Sequence, residues 1–528
     1  MRFFKTQPIT AGCLSSLGFW FVFGCSVNWK AWGQTYGNEW INYDQVYFKC
    51  PVVARGIHRI SYSTLQNSGF PLNTDPRKLQ MFARGQEIPI YVAGEADGLW
   101  DPGDYILFYG EPNDGRLDSA LYLSPDDHAT PGLSLFCDTI YYFITISNST
   151  NNLRYIPESD NNFSAYATAP YYLAVIKESF SSDYHSGQVL QFNIREPVYN
   201  RGEGYATILN GAQFFTHGWT GVWSGYENTI FSGGPPASFR VHIAGANDPP
   251  DASPLDHRYF VTFGSAQKDT SIETYGLARI KLTAPAASVA NAGFAYKIHF
   301  SPFYSMSTRN ALLYAEATLP QTYNLSGRQE QYMEVPNNPA GSKYHLSITN
   351  FNTNGSAPWL FDLSNRRMVM VYTVPGGYSA LLPNGPQALK SCYLTSESRF
   401  LEVPIVRPVR VKGFAEGRFR NFGGEYKNFN YIVLTSESLW EAAEPYTDYR
   451  RLTGWKALTV DFEELTDQFG WGIPGHPQAV RNFLRYALNT WTTKPELLFI
   501  IGKGYYPEAV RWNSALWSQN FVPTLGSP

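Results

Sequence analysis

Apolar and polar residues alternate along most of this chain, with a change of rhythm in its last fifth. The runs Val46–Val52, Ile57–Tyr62, Leu79–Ala83, Ile88–Val92, Asp104–Tyr109 and Asp138–Ile146 place large side chains at every second position. Successive side chains of a strand point to opposite faces, so each run predicts a strand with one buried and one wet face. Turn formers such as Asn113-Asp114-Gly115 separate the runs. Residues 34–165 are expected to form an N-terminal β domain. The polar stretch Ser147–Asn152 leads towards a second β-patterned region, 166–415, with runs such as Phe239–Ile243, Arg258–Phe263 and Arg367–Tyr372. Helical spacing is not evident there, and many short strands over such a length predict a jelly-roll-like β-sandwich of one or two units.

The rhythm changes over residues 416–528. Val403–Val411 carries Pro404 and Pro408, which cannot donate to a central ladder, so it reads as a linker or an edge strand. Tyr431–Thr435 is a continuous apolar run of the kind found in a strand buried on both faces. Ser436 or Ser438 is placed to cap the helix that follows, and Pro445 should kink or shift that helix. Ala457–Val460 predicts a second strand and Phe462–Phe469 a short helix. Pro477 suits the first turn of another helix, with Ala479, Val480, Phe483, Leu484 and Ala487 on one face. Leu497–Ile501 predicts a third strand, ending at Gly502-Lys503-Gly504. This alternation implies a parallel sheet with right-handed crossovers. The fold class expected is therefore multidomain and mostly β, followed by the first part of an α/β parallel-sheet domain.

Composition supports that picture and narrows the partners. The 528 residues are too many for one core. Charged residues make up 16%, well under the roughly 25% of an ordinary soluble domain. The 36 Tyr and 35 Phe favour half-buried strands over solvated helices. A net charge of −3 with no basic block argues against nucleic acid as a partner.

The N-terminus points to export. Arg2 and Lys5 precede an uncharged run at 11–27, and Ala31-Trp32-Gly33 has the small-x-small form of a cleavage site. Residues 1–33 are expected to be a signal peptide. A retained anchor and a lipoprotein modified at Cys25 are the alternatives, though the run is short for a span and Phe23 is bulky for a lipid-attachment motif. Cys50, Cys137 and Cys392 would remain, an odd number at wide spacing, which is neither a disulfide framework nor a metal knuckle.

No self-contained catalytic motif is present. Gly502-Lys503-Gly504 lacks the frame of a phosphate loop and reads as a turn at a sheet edge. His476 precedes Pro477 and suits a helix start better than catalysis. Cys392 has no oriented base in its local sequence. Asp97, Asp101 and Asp104 cluster, but their spacing fits turns better than a calcium loop. The aromatic stretch 214–226 could stack on sugars, with packing as the default. No catalytic, cofactor-binding or metal residue is assigned, and no cofactor is expected.

Two sets of residues carry a family resemblance. Asp97-Gly98, Trp100–Ile106, Phe108-Tyr109-Gly110, Asn113–Asp118, Ser134-Leu135-Phe136, Asp138-Thr139 and Tyr142-Phe143 resemble the N-terminal β domain of gingipain-family surface proteins, including the sortase branch of type IX secretion. Tyr431–Thr435, Arg450, Gly454, Phe469, Gly472, Ala479–Leu484 and Leu497–Gly502 are similar to the start of the gingipain peptidase domain. The resemblance implies a caspase-like α/β fold and a Cys–His pair that cleaves peptide bonds through an acyl-enzyme. In the sortase branch the acyl group passes to an amine on surface polysaccharide. It also implies a cell-surface or outer-membrane setting, protein or peptide substrates and type IX secretion partners. The family's His-Gly and catalytic Cys match no residue in this sequence, which is therefore expected to be the opening part of a longer protein. The alternative is a non-catalytic cell-surface β protein that binds glycans or secretion partners.

Overall fold

The strand Tyr47–Val52 shows how the N-terminal region is built. Phe48, Cys50 and Val52 point into a core shared with Ile60, Met81, Ile106, Phe108 and Ile144. That core lies between two sheets. One has five strands, in the order Arg407–Pro408, Tyr47–Val52, Ile140–Ile146, Leu79–Ala83 and Gln86–Ile88. The other has four, in the order Leu401–Glu402, Gly56–Ser61, Tyr105–Gly110 and Tyr91–Val92. The computed structural model describes residues 35–187, 198–210, 214–217, 225–226, 228–248, 255–291, 296–300 and 308–523. The expected signal peptide at 1–33 lies outside the described residues.

The expectation of one wet face fails for Tyr47–Val52. Tyr47 and Lys49, on its other face, are buried as well. Tyr47 packs with Ile41, Phe143, Val409 and Phe419, and Lys49 reaches the Phe462–Phe469 helix. A second layer of protein covers a face that alternation alone marks as solvated. The proline-bearing linker is an edge, as its chemistry requires. Arg407–Pro408 pairs antiparallel with Phe48–Lys49, and Leu401–Glu402 pairs parallel with His58–Arg59.

The middle of the chain is an eleven-stranded sheet centred on the long strand Arg309–Gln321. Ala237–Gly245 pairs with Arg309–Gln321 on one side and with Leu277–Ala284 on the other. Leu389–Ser396 and Pro358–Asp362 extend the sheet to Arg367–Val369, and Ile156–Glu158 forms its far edge in parallel. Two smaller antiparallel sheets accompany it, one including His257–Phe263 and one including Lys343–Ile348. Phe239, Val261, Leu319, Leu346 and Leu394 belong to one continuous core. The stretch is mostly antiparallel, with short helical turns such as Ala286–Asn291.

The C-terminal part is the α/β unit that its sequence announces. Tyr431–Thr435 is the central strand, with Ala457–Asp461 on one side and Leu497–Ile500 on the other, both parallel. Pro445 sits inside the helix Trp440–Leu452. Neither serine caps that helix. Ser436 and Ser438 bond each other through their hydroxyls, at 2.9 Å, and a short turn at Glu437–Leu439 precedes the helix start. Pro477 stands at the N-cap of Gln478–Thr490, whose Ala479, Phe483 and Ala487 are buried. Burying Phe483 alone contributes about 1.5–3 kcal/mol.

The segment Trp471–Gly475 ties this unit to the first core. Ile473 is buried among the N-terminal sheets, and the Tyr141 N–H donates to the Gly472 carbonyl at 2.9 Å. Gly472 has φ +72, and a Cβ there would lie 2.8 Å from the Phe143 ring. Only glycine fits that close approach.

Candidate functional site

Ligands of open parallel sheets gather outside the carboxyl ends of the strands. Here those ends are Thr435, Asp461 and Ile500. Asp461 is buried and accepts from the Glu463 N–H at 3.2 Å, capping the Phe462–Phe469 helix. Burial pushes its carboxyl up to about 7. Glu464 is fully buried too, and burial pushes it up to about 8 although Arg420 lies 3.5 Å away. Gln468 Nε2 donates to Glu464 Oε1 and to the Arg420 carbonyl, both at 3.1 Å. Asp467 is pushed up to about 6 by burial, against the pull of Lys49. Lys49 Nζ donates to Asp467 Oδ2 at 2.5 Å and to Glu463 Oε1 at 2.8 Å, and Arg407 reaches the same Glu463 oxygen at 2.9 Å. Through Lys49 and Arg407, Glu463 and Asp467 join the α/β unit to the N-terminal sheets. A cavity of about 340 Å³ opens beside it, between Phe462, Glu463 and the Trp517–Pro523 segment.

The residues weighed from sequence lie elsewhere. Cys50 and Cys392 are fully buried in strands, and Cys137 is largely enclosed. Burial raises all three thiols, those of Cys50 and Cys137 to about 12. A thiolate nucleophile needs the opposite environment. Cys137 donates weakly to the carbonyls of Thr139 and Pro474, at 3.4 and 3.3 Å. Among the described residues no cysteine is bonded to a histidine.

His476 serves the helix start. Its Nδ1 accepts from the Gln478 N–H at 3.1 Å, so the ring proton sits on Nε2, which donates to Asp118 Oδ1 at 2.9 Å. His58, His128, His185 and His242 are held in protein surroundings, and burial lowers each of them, His58 and His242 to about 4. His257 bonds Asn310, and His345 packs against Phe163. The side chains of His217 and His299 lie outside the described residues.

Asp97 accepts from the Leu99 N–H at 2.9 Å and Asp104 from the Asp101 N–H at 2.8 Å, which is turn chemistry. Among the described residues no group of three His, Cys, Asp or Glu side chains is placed to hold a metal ion. Gly502-Lys503-Gly504 forms a bend against Val522, whose N–H donates to the Lys503 carbonyl at 3.2 Å. Most of the aromatic stretch 214–226 lies outside the described residues, and Tyr226 at its end is packed under Arg328. Sequence reading missed the roles of Lys49, Asp118, Asp461, Glu464 and Asp467. A lysine inside the apolar run Tyr47–Val52 was the available signal, because a buried ammonium demands carboxylates.

Part of the chain matches a family of known proteins. Residues 425–527 match peptidase family C25. No curated protein matches the chain in sequence. Over 92% of its length the chain is similar in structure to dimeric latent PorU from Porphyromonas gingivalis, at 14% identity and a TM-score of 0.57. It spans 44% of that protein's chain. The PRD1 vertex protein P5 overlaps at a TM-score of 0.14 and 7% identity over 30% of this chain, too little to carry an argument. At residues 425–527 the chain thus carries a gingipain-type peptidase family C25 domain, behind a β-rich body with the fold of PorU.

Proposed function

We propose that this chain is the N-terminal part of an exported, cell-surface cysteine peptidase of the gingipain family, of the sortase-like kind that serves type IX secretion. In this reading residues 1–33 are the signal peptide, 34–165 and 166–415 the β domains, and 416–528 the first part of the peptidase domain. Its substrates are proteins or peptides, and an amine on surface polysaccharide is the acceptor in the sortase case. The catalytic cysteine and histidine belong to polypeptide that follows Pro528.

One observation carries the reading. The family C25 match coincides with a parallel sheet whose outer strand is only partly covered among the described residues, Phe499 stacking on Tyr446. Leu497, Leu498, Phe499 and Ile500 are 42, 38, 41 and 49% exposed, although consecutive residues of a strand face opposite ways. Parallel strands are ordinarily buried on both faces, so this edge calls for a further strand and its flanking helices. The three buried thiols agree, since none is in a state to attack a carbonyl.

The test is labelling of the whole gene product with a thiol-directed acyl-enzyme probe, followed by peptide mapping. An adduct on a cysteine other than Cys50, Cys137 and Cys392 supports the reading. Absence of any adduct on folded protein supports instead a non-catalytic surface β protein.

A further inference from the structure

Lys390, in the strand Leu389–Ser396, is a fully buried lysine. Cys392 and Leu394, on the same face of that strand, belong to the central core. Lys390 Nζ donates to the Pro336 carbonyl at 3.1 Å and to Asn337 Oδ1 at 2.8 Å. Both acceptors are neutral, and among the described residues no carboxylate forms an ion pair with this lysine. An ammonium taken out of water without a counter-ion is costly, and burial lowers Lys390 below the ordinary lysine range. An uncharged amine has two hydrogens. These two bonds use both and leave its lone pair free to attack.

The Asn337 carboxamide is held in one orientation towards that amine. Its Nδ2 donates to the carbonyls of Gly385 and Gln387, at 2.8 and 2.9 Å. Its Oδ1 accepts from the Gly385 N–H at 3.1 Å as well as from Lys390. Cγ lies one C=O bond, about 1.2 Å, from Oδ1, so Nζ is within about 4 Å of it. The Gly385 N–H is aimed at the oxygen on which negative charge gathers when an amine adds to Cγ. Asp362 supplies a carboxyl on the same face. Asp362 pairs with Cys392 and Lys390 with Val335, so Asp362 and Lys390 are diagonal neighbours across one ladder, within reach of a long side chain. Asp362 is fully buried, and burial raises its carboxyl, so it can hold a proton there.

We propose that Lys390 and Asn337 join in an intramolecular isopeptide bond, with Asp362 relaying the proton. Nζ bonds to Cγ and the Cγ–Nδ2 bond breaks. One amine hydrogen passes by way of Asp362 to Nδ2, which leaves as ammonia. Nothing is oxidised or reduced, and no further reactant enters. The product is a covalent staple between the end of Gln331–Pro336 and Leu389–Ser396, neighbouring strands of the eleven-stranded sheet. It does not depend on the peptidase reading, because all three residues lie in the β-rich body.

The experiment is mass spectrometry of the purified full chain, intact and after trypsin. The intact mass should fall short of the sequence mass by one ammonia. Trypsin does not cut at an acylated lysine, so residues 329–343 and 368–399 should appear as one branched peptide. Lys390→Met should abolish that peptide. Asp362→Asn, checked for folding by circular dichroism, should lower the cross-linked fraction at least about tenfold. A wild-type chain that yields 329–343 only as a separate, unmodified peptide overturns the proposal. So does a loss of ammonia that maps to other residues, or a folded Asp362→Asn chain that is cross-linked as completely as the wild type.

Discussion

His476 Nε2 lies 2.9 Å from Asp118 Oδ1, and both side chains are fully buried. Asp118 also accepts from Ser134 Oγ and from the Leu135 N–H, the latter at 2.6 Å. One carboxylate thus holds a loop of the N-terminal region and the start of the helix Gln478–Thr490 together. Asp118→Ala would strand all three donors away from water. A loss of about 3–5 kcal/mol is expected, on the scale of breaking one side of a buried pair. Urea unfolding measures it. A loss under about 1 kcal/mol would show that the pair is incidental to the fold.

Lys49 and Asp467 give a second handle on the same seam. Lys49→Met removes the ammonium and leaves the Asp467 carboxylate, which is 1% exposed, without its cation. The expected cost is about 3–5 kcal/mol. Adding Asp467→Leu removes the orphaned charge, so the double variant should regain most of the loss. Thermal unfolding of the two single variants and the double variant closes the cycle. Equal melting temperatures for Lys49→Met and the double variant would contradict a direct pairing.

Much of the α/β unit was legible because its signals are local. Tyr431–Thr435 read as a buried strand and Leu497–Ile501 as a strand from unbroken apolar runs, and Pro477 with the spacing of Ala479, Phe483 and Ala487 marked a helix. The missing information is long-range. Nothing near Lys49 in sequence names Asp467, and nothing near His476 names Asp118, 358 residues earlier. The wet face expected on Tyr47–Val52 failed for that reason: alternation reports periodicity within a strand, not which layer packs on it. The edge pairing of Arg407–Pro408 could be expected from its prolines, but its partner could not. The candidate chemistry was least legible, since burial decides the state of each thiol and carboxylate.

The buried carboxylates set the sign of a pH dependence. Asp461, Glu464, Asp467 and Glu203 are pushed up to about 7, 8, 6 and 8, each chiefly by burial. Their unfolded values lie near 4, so the folded chain binds more protons between about pH 4 and 8. The stability they contribute is complete below the unfolded values and is lost as pH rises through the folded ones. Resistance to urea should therefore fall between about pH 6 and 8. Glu464→Gln keeps the shape and removes one titration, so it should flatten the slope. A stability that rises over this window would refute the assignment.

The edge Leu497–Ile500 makes the last prediction. It offers backbone groups for pairing, and among its four residues there is no charge, proline or bulge to discourage association. Natural edges rely on such devices to stay monomeric. The 528-residue chain alone should therefore self-associate as its concentration rises. Leu498→Lys puts a charge on a side chain that is 38% exposed, where it costs little of the fold. The expected result is a shift towards monomer in light scattering, with the melting temperature changed by no more than a few degrees, about what 0.5 kcal/mol moves a domain. If association persists unchanged in this variant, another surface drives it, and the edge is not the exposed partner-seeking element that its side chains suggest.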